Sequence, residues 1–218
     1  MRFRDRREAG RELAARLHDL GERGELPHPV VLALPRGGVT VALEVARALD
    51  APLDVLVARK IGAPFQPELA VGALAGDGPP LYDEEGLALL GLTEAELEPV
   101  VRRERAELRR RERLYRQGRP AADLSGRAAV VVDDGLATGA TARAALRAVR
   151  LAAPRRVVLA VPVASRQGAR LLRPEVDELV CLTEPPDFQA VGLWYDDFAQ
   201  LSDDDVLRAL RAAPAGAG

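Results

Sequence analysis

An α/β fold, a parallel sheet flanked by helices, is what the sequence predicts. Short apolar runs alternate with segments of helical periodicity along most of the chain. The runs carry little period-two alternation, as expected of strands buried on both faces. Three of them end in polar or glycine-rich residues: Pro35-Arg36-Gly37-Gly38, Arg59-Lys60 and Asp133-Asp134. A parallel arrangement brings all three to one sheet edge, beyond the carboxyl ends of the strands, where ligands of such sheets bind.

Residues 5–21 form an amphipathic helix, with Leu13, Leu17 and Leu20 at helical spacing, and Gly21 and Gly24 end it. Residues 30–34 are a strand between Pro29 and Pro35. Gly37-Gly38 opens a helix over 39–49, whose Val41, Val45 and Leu49 share a face. Residues 53–58 are a strand ending at Arg59-Lys60. A Gly/Pro-rich loop, a strand over 69–75 and a turn over 76–80 follow. Residues 83–119 are mostly helical, with Leu97, Val101, Leu108 and Tyr115 on one stripe, and Gly118 and Pro120 stop the run. Strands at 128–132, 156–161 and 178–182 then alternate with helices at 141–152 and 165–172. A final helix over 202–210 takes Ser202 as its N-cap. The tail, residues 212–218, reads as disordered. One domain covers 1–218, with a helical insertion over 76–120 and a small hood over 183–201.

The 218 residues suffice for one such domain. A net charge of -2 argues against general attraction to nucleic acids or membranes. No apolar run approaches the roughly 18 residues that a membrane helix needs, and the charged start MRFRDRREAG is not the core of a signal peptide. The single cysteine, Cys181, excludes an internal disulfide and fits a reducing cytoplasm. Lys60 is the only lysine among 31 basic residues, and asparagine is absent. Loss of thermolabile side chains points to a heat-adapted source, although an arginine excess also follows from GC-rich coding.

The stretch VVVDDGLATGAT, residues 130–141, carries the most chemistry. Amide donors of the loop and of the following helix start point one way and, with the helix dipole, form an anion site. Gly139 admits an oxyanion close to the backbone, and Thr138 and Thr141 add hydroxyls. Asp133 and Asp134 repel a phosphate but suit a diol or a divalent metal. A phosphorylated sugar with neighbouring hydroxyls satisfies both halves. The competing reading makes the acids a loop start and Thr141 a helix cap. Neither GxxxxGK[ST] nor GxGxxG after a strand occurs, so other phosphate loops fit worse.

This stretch resembles the signature of type I phosphoribosyltransferases, which holds the ribose and 5′-phosphate of phosphoribosyl pyrophosphate (PRPP). Its Ala137-Thr138-Gly139 form is especially similar to adenine phosphoribosyltransferases. The resemblance implies that Asp133 and Asp134 face the ribose hydroxyls and that Ala137, Thr138, Gly139, Ala140 and Thr141 wrap the phosphate. It departs at Ala140, where glycine is common. LPRGG resembles the family's pyrophosphate loop, with Arg36 as a planar fork for phosphate oxygens and Gly37 and Gly38 exposing amides. A basic residue at Lys60 would contact pyrophosphate; the alternative is a solvated strand terminus. The implied cofactor is Mg²⁺, held at Asp133 and Asp134 directly or through PRPP and water. Residues 30–182 follow the family in element order, and residues 28–75 and 120–200 resemble a subgroup whose acceptor is generally unassigned.

Residues 185–198, PPDFQAVGLWYDDF, concentrate aromatic residues and resemble the base-binding end of hypoxanthine-guanine phosphoribosyltransferases. By that comparison Phe188 or Trp194 stacks on the acceptor and Asp196 meets the base or metal, whereas the alternative is core packing. The arginine-rich residues 102–119 have three readings: a solvated helix, a lid that closes over PRPP, or a nucleic-acid surface. His18 and His28 receive no role. The sequence thus predicts transfer of the phosphoribosyl group from PRPP to a small nitrogenous acceptor by a cytoplasmic enzyme, a homodimer by family habit. The alternative is a PRPP- or nucleotide-sensing regulator that binds nucleic acid.

Overall fold

In the computed structural model, residues 2–214 are described. They form a five-stranded parallel sheet covered by helices on both faces, with a smaller three-stranded antiparallel sheet beside it. Chain order is α1 (Arg6–Glu22), β1 (Val30–Ala33), α2 (Gly38–Ala48), β2 (Leu53–Val55), β3 (Ala58–Ala63), β4 (Gln66–Ala75), β5 (Leu81–Tyr82), α3 (Glu84–Leu90), α4 (Glu94–Arg116), β6 (Ala128–Val132), α5 (Ala140–Leu151), β7 (Arg156–Val163), α6 (Arg166–Leu172), β8 (Glu178–Thr183) and α7 (Asp203–Ala212). The disordered tail expected over 212–218 lies in part outside the described residues; Ala212 is the last residue of α7.

The large sheet runs β2-β1-β6-β7-β8. Val31 and Ala33 of β1 face a core with Leu13, Leu17, Val41, Val45 and Leu108, so α1, α2 and α4 cover that face. Val30 and Leu32 face the opposite core with Leu146, Val149 and Leu172, so α5 and α6 cover the other. Alternation sends successive side chains to opposite faces, and both faces are dry, which is why these strands read as unbroken apolar runs. The chain leaves β1 toward β2 on one side and returns through β6 on the other. The β1–β6 boundary is therefore the topological switch point, and the crevice beyond its carboxyl ends is the expected ligand site.

The expected strand 53–58 is corrected. The parallel strand stops at Val55, and Leu56 adds one more backbone bond, to the Ala33 carbonyl. Arg59 and Lys60 then lie inside β3, paired antiparallel to β4 as Arg59↔Leu74 and Lys60↔Ala73. Ile61, Ala63, Val71 and Leu74 anchor this hairpin in the core. The expected strand 69–75 begins earlier, at Gln66. The helical region 83–119 divides into α3 and α4 because Gly91 adopts φ 63°, which caps α3 in the left-handed region.

The inner stripe of α4, Leu97, Leu108 and Tyr115, is buried, and the Tyr115 hydroxyl donates to Asp203 Oδ1 at 2.6 Å. Many of its arginines meet acids or carbonyls: Arg110 and Arg111 meet Glu107, Arg116 meets Asp54 and the Val55 carbonyl, and Arg105 meets the carbonyls of Gly76 and Gly78. Of the three readings of this segment, its placement favours a packed helix with a charge-balanced outer face. No helix of the described residues is long and apolar enough to cross a membrane.

Candidate functional site

Two strand-to-helix loops meet at the switch point. The first, residues 34–37, links β1 to α2; the second, residues 133–139, links β6 to α5. They touch so closely that only glycine fits between them. A Cβ on Gly37 would lie 2.0 Å from Asp134 Oδ2, and one on Gly38 would lie 2.6 Å from the Val132 carbonyl. The glycine pair therefore makes room for the acids.

Loop 133–139 is fixed at its base and open at its crest. Leu136 donates its N–H to the Val163 carbonyl and accepts from the Ser165 N–H at 2.7 Å. The Ser165 hydroxyl donates to the Ala137 carbonyl at 2.5 Å. Gly139 stands at φ 82° as the N-cap of α5, without a side-chain cap bond. Thr141 is therefore not the cap, against the competing reading of that residue. Among the described residues, the amides of Ala137, Thr138 and Gly139 and the hydroxyls of Thr138 and Thr141 find no protein acceptor. The first amides of α5 are unpaired by the geometry of any helix start. These donors and the positive end of the 12-residue α5 form an anion cradle.

The acids sit at the tip of β6. Asp133 Oδ1 accepts from the Asp134 N–H at 2.8 Å, and Asp134 Oδ2 accepts from Arg6 Nε at 2.7 Å. Asp133 Oδ2 and Asp134 Oδ1 have no backbone or basic donor among the described residues, and the two carboxyls lie within hydrogen-bond reach of each other when one holds a proton. Burial, then the neighbouring Asp134 charge, pushes the Asp133 carboxyl well above the ordinary range. Burial also raises Asp134, and the Arg6 guanidinium partly opposes that rise. Two adjacent carboxyls that resist joint ionisation favour a hydroxyl-rich or cationic ligand on those oxygens.

Arg36 lies half-exposed in the first loop. Lys60 does not join the loops through any ion pair: its ammonium meets Glu68 at 2.7 Å on the hairpin, with 43% and 90% of the two side chains exposed. Arg59 is committed elsewhere, its Nε and Nη2 donating to Glu104 Oε2 at 2.9 and 2.7 Å. Among the described residues no group of three or more His, Cys, Asp or Glu is placed to hold a metal ion. Asp133 and Asp134 alone supply too few oxygens for a protein-only cage. They fit a hard cation whose remaining ligands come from a bound phosphate and water.

The hood borders the acids. The Tyr195 hydroxyl donates to the Asp134 carbonyl at 2.6 Å, and Val191 packs against Gly135. Phe188 and Trp194 pack against a small core of Phe3, Ala9, Val163 and Tyr195, the packing alternative for both residues. Asp196 forms an exposed ion pair with Arg2 at 2.8 Å, and its N–H donates to the Phe3 carbonyl. Sequence reasoning missed Arg6 and Tyr195. Arg6 lies 128 positions before Asp134, in a helix whose periodicity signals only packing.

Comparison with known proteins accords with this geometry. The phosphoribosyl transferase domain family matches residues 4–196. The Mycobacterium tuberculosis protein named "Putative phosphoribosyl transferase Rv0571c" is 48% identical over 211 residues, covering 97% of this chain and 47% of that protein. The chain thus spans about half the length of the curated relatives it matches. The crystal structure of TT1426 from Thermus thermophilus is 48% identical, with a TM-score of 0.82 over 96% of this chain and 98% of that one. A hypothetical protein from Neisseria gonorrhoeae, solved with bound ppGpp, shares the fold at 12% identity, with a TM-score of 0.53 over 97% and 98% of the two chains. Matched along most of its length, with an anion cradle beside paired acids at its switch point, the chain belongs to the phosphoribosyl transferase domain family.

Proposed function

We propose that the chain transfers the phosphoribosyl group of PRPP to a nitrogen nucleophile, releasing pyrophosphate. The observation that carries this reading is the pair of adjacent acids whose Asp133 Oδ2 and Asp134 Oδ1 take no backbone or basic donor among the described residues, beside the uncapped start of α5. The 5′-phosphate rests on the amides of residues 137–141 and the hydroxyls of Thr138 and Thr141. These oxygens of Asp133 and Asp134 accept from the ribose hydroxyls. Arg36, half-exposed in the first loop, meets the pyrophosphate. Lys60 exchanges its exposed Glu68 for the leaving group at little cost.

Magnesium, which Asp133 and Asp134 would help to hold together with the bound phosphates and water, would supply charge neutralisation. The bond from C1 of the ribose to the pyrophosphate oxygen breaks, its electron pair leaves with pyrophosphate, and the nucleophile's lone pair forms the new bond to C1. Such a step passes through an oxocarbenium-like state, so the protein contributes positioning and charge stabilisation more than proton relay. Family habit supports a cytoplasmic homodimer as part of this reading. A nucleic-acid-binding regulator is the less supported reading, because many α4 arginines are already engaged by acids or carbonyls.

A screen of nitrogenous bases and amines with PRPP and Mg²⁺, read by pyrophosphate release, tests the reading, with calorimetric titration of ribose 5-phosphate alongside. Release with at least one acceptor and saturable binding of the sugar phosphate are expected. Absence of both would overturn it.

A further inference from the structure

We propose that Arg6 is a positioning residue of this site, holding Asp134 so that a single carboxylate oxygen meets the pentose; the inference rests on the ribose-binding reading above. Arg6 stands in the first turn of α1 and is 8% exposed. Its Nε donates to Asp134 Oδ2 at 2.7 Å, and its Nη1 donates to the Ala199 carbonyl at 2.8 Å. The guanidinium carbon lies 3.7 Å above the centre of the Phe198 ring. Phe198 stacks on Tyr195, centroids 5.0 Å apart, and the Tyr195 hydroxyl holds the Asp134 carbonyl. Asp134 is thus gripped at its side chain by α1 and at its backbone by the hood.

The opposite wall is Gly37, whose missing Cβ leaves the space that Oδ2 occupies. Oδ2 is held between Arg6 and Gly37, and Oδ1 has no backbone or basic donor among the described residues. Taking a guanidinium out of water is costly unless its donors are matched. Here Nε and Nη1 are bonded and the π face is covered. A planar fork serves both oxygens at once while stacking on an aromatic ring, which an ammonium cannot do. The anion cradle of residues 137–141 has no bond to Arg6, so the two halves of the site are separable by ligand.

Calorimetry on the full chain carrying Arg6→Gln or Arg6→Lys, titrated separately with ribose 5-phosphate and with magnesium pyrophosphate, tests this. Arg6→Gln is expected to weaken ribose 5-phosphate about tenfold or more, the share of one charge-assisted hydrogen bond, while pyrophosphate affinity stays within about twofold. Arg6→Lys is expected to recover part of the sugar-phosphate loss. Should Arg6→Gln not fold, Arg6→Lys carries the test by the same selective loss at smaller size. Equal weakening of both ligands would make Arg6 a general brace and overturn the proposal, as would unchanged ribose 5-phosphate affinity in Arg6→Gln. A wild-type chain that ignores ribose 5-phosphate would instead sink the ribose-binding reading itself.

Discussion

Asp133-Asp134 and Arg59-Lys60 are both adjacent like charges just past a strand of the parallel sheet, yet the fold treats them in opposite ways. The acids stay at the switch point, each with one oxygen that takes no backbone or basic donor among the described residues. The cations move into an antiparallel hairpin, where Glu104 takes Arg59 and Glu68 takes Lys60. What separates the two ends is which of their polar atoms the surrounding chain already uses, not whether they are paired at all. The difference lies in the neighbours: α4 brings a buried glutamate to Arg59, and the loop beside the acids brings glycines and amides.

Four substitutions sharpen that contrast. Asp134→Asn should cost about 2 to 4 kcal/mol of transition-state stabilisation, the size of one lost charge-stabilising contact, measured as kcat/KM for pyrophosphate release; near-normal turnover would erase the distinction at the acid end. Glu104→Ala should lower stability by about 1 to 3 kcal/mol in denaturant titration, because a mostly buried partner is removed from Arg59 and Arg103 while Arg59 keeps some access to water. A loss confined to catalysis would show that the cation end is also a functional centre.

Asp133→Asn probes the acids through pH. Asp133 binds its proton more tightly in the fold than in the unfolded chain, so its ionisation costs stability as pH rises above the ordinary value of 3.8. The asparagine variant should therefore melt at a higher temperature than wild type at pH 7, and the gap should close as pH falls to that value. A lower melting point at neutral pH would contradict the unfavourable burial. Lys60→Ala should change stability by less than about 0.5 kcal/mol, since its partner is exposed. It should weaken pyrophosphate more than ribose 5-phosphate in calorimetry; equal losses would remove Lys60 from the pyrophosphate side.

The legible parts of the molecule are those where local chemistry and tertiary environment agree. Val130, Val131 and Val132 are buried in a strand covered on both faces, so an apolar run was sufficient signal. Ser202 caps α7 as its hydroxyl chemistry demands, with Asp205 completing the capping box. The hairpin was obscured because Pro64 and Pro67 flank its tip and β4 begins with exposed residues, which blur the strand pattern. At the site, residues 133–141 were readable since their donors and acids are contiguous in the chain. Arg6 was not, because its partnership with Asp134 exists only after α1 and the hood have docked. The hood aromatics were visible as a cluster, while their division between packing and contact with Asp134 depends on rotamers that composition does not encode.

Trp194 is the only tryptophan in the chain, and it immediately precedes the tyrosine that holds the Asp134 backbone. Its indole N–H is buried without an acceptor among the described residues. The protein thus contains its own optical gauge: excited at wavelengths tyrosine does not absorb, this indole reports on the packing of the hood beside Asp134, and any rearrangement there is readable without a label.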